Sequence, residues 1–215
     1  MNSKFEFTGE TKVEFGITLN RIRALISFDI VAKGEVGGWI EKEANVSAEG
    51  NAWVSGNALV SGNALVSGNA WVSGDAWVSG NARVSGNAWV SGNARVSGDA
   101  RVSGNAWVSG NAWVSGDARV SGNARVSGDA LVSGDALVSG NAQIFVVGPV
   151  GSRAAYLTAT ADAKASIRIT TGCFSGSLAD FRAAVRKTHG DNEHAKMYLG
   201  LCNLIAYKLG GEIEA

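Results

Sequence analysis

Few side chains in this sequence suit covalent or acid–base chemistry, and most of them lie near its C-terminus. Both histidines, His189 and His194, are there, as are both cysteines, Cys173 and Cys202. A cysteine beside a histidine can serve as an activated nucleophile. The spacing of these four residues matches no metal motif or disulfide framework, so Cys173 reads as a small buried residue and His189 as a helix end. Ligand capture is a second possibility. Gly151, Ser152 and Arg153 form a turn with exposed amides, a hydroxyl and a guanidinium, groups that suit phosphate. Thr158, Thr160, Thr170, Thr171, Gly172 and His189 are candidates to line the same pocket. The mixed polar set assigned to ligand or partner binding is Ser152, Arg153, Thr171, Cys173, His189, Asp191 and Asn192. No catalytic residue, metal ligand or cofactor is assigned.

The elements that must position this set form a small α/β module over 143–215. IFVV, AAYLTAT and ASIRITT read as strands, with a Gly-Pro-Val-Gly turn after the first. Ser177 followed three residues later by Asp180 resembles a capping box. The helix it opens runs to about Thr188, with Gly190 at its end. A second helix spans about Asn192 to Leu209, with Tyr198, Leu201, Cys202, Ile205 and Leu209 on one face.

Ahead of the module, over 51–142, the chain is a repeat, which decides the fold. From Asn51 to Gly140 the pattern [N/D]-A-x-V-S-G occurs fifteen times without a break. Side chains alternate across a strand, so Ala and Val point inward, while x and Ser point outward. Gly and Asn suit the corners, where φ is positive. Three hexads close one coil of a triangular parallel β-helix, and fifteen make five coils. Taking every third hexad sorts the x positions by side. The first side carries Trp53, Trp71, Trp89, Trp107 and Arg125. The second carries Leu59, Trp77, Arg95, Trp113 and Leu131, and the third carries Leu65, Arg83, Arg101, Arg119 and Leu137.

The ladder of Trp53, Trp71, Trp89 and Trp107 is either an apolar stripe awaiting a partner or a set of indoles that simply stack along the coils. Arg95, between Trp77 and Trp113, is placed for cation–π contact. The solenoid's arginines are matched by Asp75, Asp99, Asp117, Asp129 and Asp135, so its arginine ladder reads as a self-neutralised, solvated face.

Residues 1–50 read as a β-rich cap. Val13, Phe15, Ile17 and Leu19 alternate as in a strand, and Trp39 reads as a cap core residue. Val46 is an imperfect first hexad position, separated from Val54 by a two-residue insertion. Nineteen basic residues balance nineteen acidic ones, which removes the electrostatic footprint of general nucleic-acid binding. No apolar run is long enough to span a bilayer, and the N-terminus lacks the apolar core of a signal peptide. The expectation is a soluble, cytosolic protein with free thiols.

The hexads resemble the hexapeptide-repeat family of left-handed β-helices, whose rule is an aliphatic residue and, four positions later, a small one. That resemblance implies left-handed coils and homo-oligomers, most often trimers. It also brings to mind the acyltransferases of that superfamily, which place a catalytic histidine on or beside the helix and extrude a loop. Here the hexads contain neither, so an enzyme is not expected. Two further stretches, ITLNRIRALISFDIVAKGEVGGWIEKEANVSAEGNAWVSGNA and GPVGSRAAYLTAT…TTGCFSGSLADFRAAVRKTHGDN, are similar to phage and prophage proteins that carry such solenoids. The implied role is a phage-type scaffold in the host cytoplasm. Its solenoid is a rigid spacer and its C-terminal module recognises a host or phage protein. The alternative is capture of a small phosphorylated or nucleotide-derived defence signal.

Overall fold

The computed structural model describes residues 2–140, 144–151, 154–161 and 166–213. The fold is mainly β: a parallel β-solenoid capped at both ends, with two helices in the C-terminal cap. The hexads form fifteen two-residue strands, β4 (Trp53–Val54) to β18 (Leu137–Val138), one every six residues. They stack into three sheets with the side chains sorted as the period predicts. Trp53, Trp71, Trp89, Trp107 and Arg125 pair in register on one side. Leu59, Trp77, Arg95, Trp113 and Leu131 pair on the next. Leu65, Arg83, Arg101, Arg119 and Leu137 pair on the third. Every hexad Val and Ala is buried, forming one continuous core. From Gly56 to Gly116 each corner glycine has positive φ and lies close to the next coil. At Gly98 (φ +67°) an added Cβ would stand 3.0 Å from the Gly116 nitrogen, so any other residue there is strained by both its φ and its neighbour.

The solenoid has about six turns, because stacking begins before the first hexad. Strands β1 (Phe5–Glu14) and β2 (Ile17–Ala24) form an antiparallel hairpin, and β2 pairs antiparallel with β3 (Val36–Ile40). β3 then joins the second side as a parallel strand, with Trp39 opposite Leu59 and Ile40 opposite Val60. Val46 bridges Val66 on the third side. Both offsets are two residues longer than the regular coil, as the insertion between Val46 and Val54 requires. The stretch from Val13 to Leu19 is not one strand. The chain turns at Phe15 and Gly16, both at positive φ, and Phe15 stacks on Trp77 at 4.4 Å. Trp39 is buried, with Lys12 and Arg21 over its ring.

Most of the hydrogen bonds between coils run one way. Trp53 N–H donates to the Ala70 carbonyl, Ser55 N–H to Val72 and Asn57 N–H to Gly74, and the same three bonds recur up the stack. Through these three bonds the first coil presents mainly carbonyls that lack donors, and the last presents mainly N–H groups that lack acceptors. Unpaired buried backbone groups are costly, so each cap must supply the missing half. At the start, Trp39, Glu41 and Ser47 donate backbone N–H groups to Ala58, Val60 and Val66. Asn45 Nδ2 donates to Ala64 (2.8 Å) and Gly62 (3.2 Å), and Lys4 Nζ donates to Ala52 (2.9 Å) and Gly50 (3.4 Å). At the end, Thr158 Oγ1 accepts from Leu131 N–H at 2.9 Å.

The C-terminal cap is an antiparallel sheet of β19 (Ile144–Val150), β20 (Ala155–Ala161), β21 (Ile167–Thr171) and β22 (Phe174–Ser177), followed by α1 (Leu178–His189) and α2 (Glu193–Leu209). Its strands alternate faces. Ile144 and Val146 pack on the solenoid core, while Phe145, Val147, Leu157, Ala159 and Ile169 pack with the helices in a second core. Gly148-Pro149-Val150 is not a turn but the irregular end of β19, where the register shifts between Val147 and Val150. β19 is an edge strand, where a residue without an N–H is tolerated. Ser177 and Asp180 form the expected capping box, and the serine's hydrogen bond holds the Asp180 carboxyl below its ordinary range.

Candidate functional site

Four of the sequence-derived candidates converge. Thr171 ends β21, Gly172 and Cys173 stand in the turn to β22, and His189 ends α1. All four line a cavity of about 260 Å³ between sheet and helices, together with Phe174, Phe181, Thr188 and Tyr198. Phe181 stands edge-on to Tyr198 (5.6 Å) and tilted against Phe174 (5.0 Å), and the His189 ring lies 5.7 Å from Tyr198. The wall is thus a connected aromatic cluster, and Cys173, itself exposed, is on its rim. The Gly151 backbone lies directly against the Tyr198 ring, leaving no space for a side chain there. The described lining contains His189 but no lysine or arginine.

The other candidates go elsewhere. Asn192 caps α2, its side chain accepting from Ala195 N–H at 3.0 Å. Asp191 is exposed in the turn before it. Ser152 and Arg153 lie outside the described residues. Thr158, Thr160 and Thr170 do not line the cavity. They occupy the opposite face of the sheet, and Thr158 is committed to capping Leu131. Thr170 and Thr171 are consecutive in a strand and so cannot share a face. Tyr198, Phe174 and Phe181 were not anticipated as site residues. The signal available was aromatic content on the inner face of α2 and beside Cys173.

A second cleft, of about 390 Å³, lies between the last coil and the module, lined by Asp135, Leu137, Thr160, Arg168, Ser177 and Asp180 among others. It is spanned by the Arg168–Asp135 pair at 3.6 Å. Tyr156 hydrogen-bonds Asp129, and this bond, with the carboxylate's charge, raises the phenol's pKa. These contacts fasten the module to the solenoid.

The tryptophan ladder changes character along its length. Trp53 is fully buried beneath Phe5 and Phe28 of the N-terminal cap. Trp71 is half-buried. Trp89 and Trp107 are exposed and stack on each other at 5.5 Å, and Arg125 lies over Trp107. From Trp71 onward each indole N–H on the first two sides donates to a serine of the preceding coil, as in Trp89 to Ser73 and Trp113 to Ser97. For Trp53 the residue at that spacing is Gly37, and its indole nitrogen is unpartnered. Among the described residues no cation–π contact forms at Arg95, and the Trp77 ring is stacked by Phe15 instead. Nor do the solenoid's arginines pair with its aspartates. Asp75, Asp99 and Asp129 instead accept from asparagine amides one coil earlier, at Asn57, Asn81 and Asn111. The corner position points each aspartate along the stack rather than across to the strand.

Among the described residues no group of three or more His, Cys, Asp or Glu side chains is placed to hold a metal ion, and no helix is long and apolar enough to cross a membrane. Comparison with known families matches the solenoid to the YdcK beta-solenoid repeat, over residues 52–68, 58–74, 76–92, 88–103, 94–110, 100–116 and 118–133. No curated protein matches the chain. The repeat match and the stacked parallel sheets together make the chain a β-solenoid repeat protein.

Proposed function

We propose that this β-solenoid repeat protein is a non-catalytic interaction scaffold in which the solenoid is a rigid spacer and the C-terminal module recognises a partner. The observation that carries this reading is the aromatic cavity at Thr171, Cys173, His189 and Tyr198. Side chains from several unlike elements meet there, whereas the solenoid surface repeats coil after coil. Recognition tends to sit where irregular segments are held on a rigid frame. The cavity is smaller than typical small-molecule pockets of roughly 300–1,000 Å³, and its aromatic rings suit an apolar or aromatic side chain of a protein. The similarity of both chain ends to phage and prophage proteins supports a phage setting in a bacterial cytoplasm.

The test is capture from bacterial lysate with the full chain as bait. A Thr171→Arg, His189→Ala bait, filling and depolarising the cavity, should lose the bound protein. A Trp89→Ser, Trp107→Ser bait should keep it. The opposite pattern, or retention by both, would reject the module as the recognition unit.

A further inference from the structure

Among the described residues no other element packs on the outer face of α2, and its composition is self-complementary about one point. Opposite the buried side of the helix lie Met197 and Leu204, both exposed, with Gly200 between them and Leu201 half-buried alongside. Glu193, whose carboxylate also meets Lys196 of its own helix at 2.8 Å, marks the first turn of this face and Lys208 the last. Each of these residues has a counterpart at the same distance from the midpoint between Gly200 and Leu201. Glu193 mirrors Lys208, Met197 mirrors Leu204, and Gly200 mirrors Leu201.

We infer that α2 is a two-fold dimer contact, pairing antiparallel with α2 of a second copy of this chain. In such a pair Glu193 of each copy meets Lys208 of the other, Met197 packs on Leu204, and Gly200 faces Leu201 at the crossing. A closed two-fold contact requires this self-complementarity. Two antiparallel helices also place opposite dipole ends together.

Gly200 is an independent observation in favour. Glycine is the poorest helix former short of proline, and Gly200 sits in the middle of a 17-residue helix. None of the described residues requires it there, since an added Cβ would meet no atom within 4 Å. Close approach of a second helix is what would require it, because interaxial distance is set by side-chain size at the contact. The cavity beneath Tyr198 lies on the other side of α2, so pairing leaves both cavities open.

The test is molar mass by sedimentation equilibrium over a wide range of concentration, with circular dichroism to confirm folding. The wild-type chain is expected to reach the mass of a dimer. Lys208→Glu sets acid against acid twice and should raise the dimer dissociation constant at least tenfold. Glu193→Lys combined with Lys208→Glu restores opposite charges and should recover most of the affinity. Gly200→Leu, at an exposed position where an added Cβ meets no atom of the described residues within 4 Å, should abolish pairing. Trp89→Ser with Trp107→Ser should leave it unchanged. A monomer at all concentrations, a trimer, or a dimer indifferent to Gly200→Leu and Lys208→Glu would each overturn the inference.

Discussion

Lys4 shows how a single side chain can carry an end condition of the fold. It is buried, donates to two carbonyls of the first coil, and lies 5.3 Å from the Phe28 ring centroid. Burial lowers its pKa from 10.5 to about 8. Between those values the unfolded chain holds more protonated lysine than the folded one, so unfolding there takes up protons and stability rises with pH. The Lys4 contribution is therefore greatest above about 10.5 and falls as pH drops to about 8. Urea midpoints measured from pH 7.5 to 10 should rise more in the wild type than in Lys4→Met, which has no proton to exchange. Equal slopes would show that this ammonium is solvated. The donor role of Lys4 was not legible in the sequence, where it stands among polar residues near the terminus. Cysteine, histidine and threonine near the candidate cavity were legible as residue types, but their grouping was not. Thr158, Thr160 and Thr170 were placed with Thr171 by chemistry alone, and strand alternation sends them to the opposite face.

The strands and corners were read far more securely, because a six-residue period with two inward positions admits one packing. What the period left open was the use of the corner side chains. Asn69, Asn87 and Asn105 each pass an amide hydrogen to the next coil, ending on Asn123. An aspartate accepts such a bond but cannot pass one on. The chain from Asn63 through Asn81 thus stops at Asp99, with Asp117 and Asp135 next in the same column. Three carboxylates one coil apart repel one another, at spacings of about 4.8 Å. Asp117→Asn removes two repulsions and adds a donor toward Asp135. It should stabilise the solenoid by up to about 1 kcal/mol at low ionic strength, and by less in high salt. Denaturation at two salt concentrations tests this, and a destabilised variant would refute the account. The hairpin was misread for a related reason. Alternation in Val13, Phe15, Ile17 and Leu19 is real, but Gly16 breaks the strand, and a period cannot by itself reveal where a chain reverses.

As a whole, the molecule is a column whose two ends are chemically unlike, one rich in acceptors and one in donors, each closed by a cap of matching character. Between the caps the coils are interchangeable, since every hexad buries the same Ala and Val. Stability in such arrays is close to a sum over neighbouring coils. Deleting residues 87–122, two full coils, should leave a folded protein. The caps should be drawn closer by about 10 Å, twice the spacing of adjacent strands. Spin-label distances between Glu10 and Lys187, with Cys173→Ser to free the labelling, would measure the change. An unfolded product, or an unchanged distance, would contradict coil equivalence. Deletions that are not multiples of three hexads have a different outcome. The module's fastenings, at Asp129, Leu131 and Asp135, move with it, so it would still close the column. Loss of one hexad would, however, rotate it by about a third of a revolution about the axis. Repeat number is then a compass setting: each six-residue duplication changes the bearing at which one end of the molecule faces relative to the other.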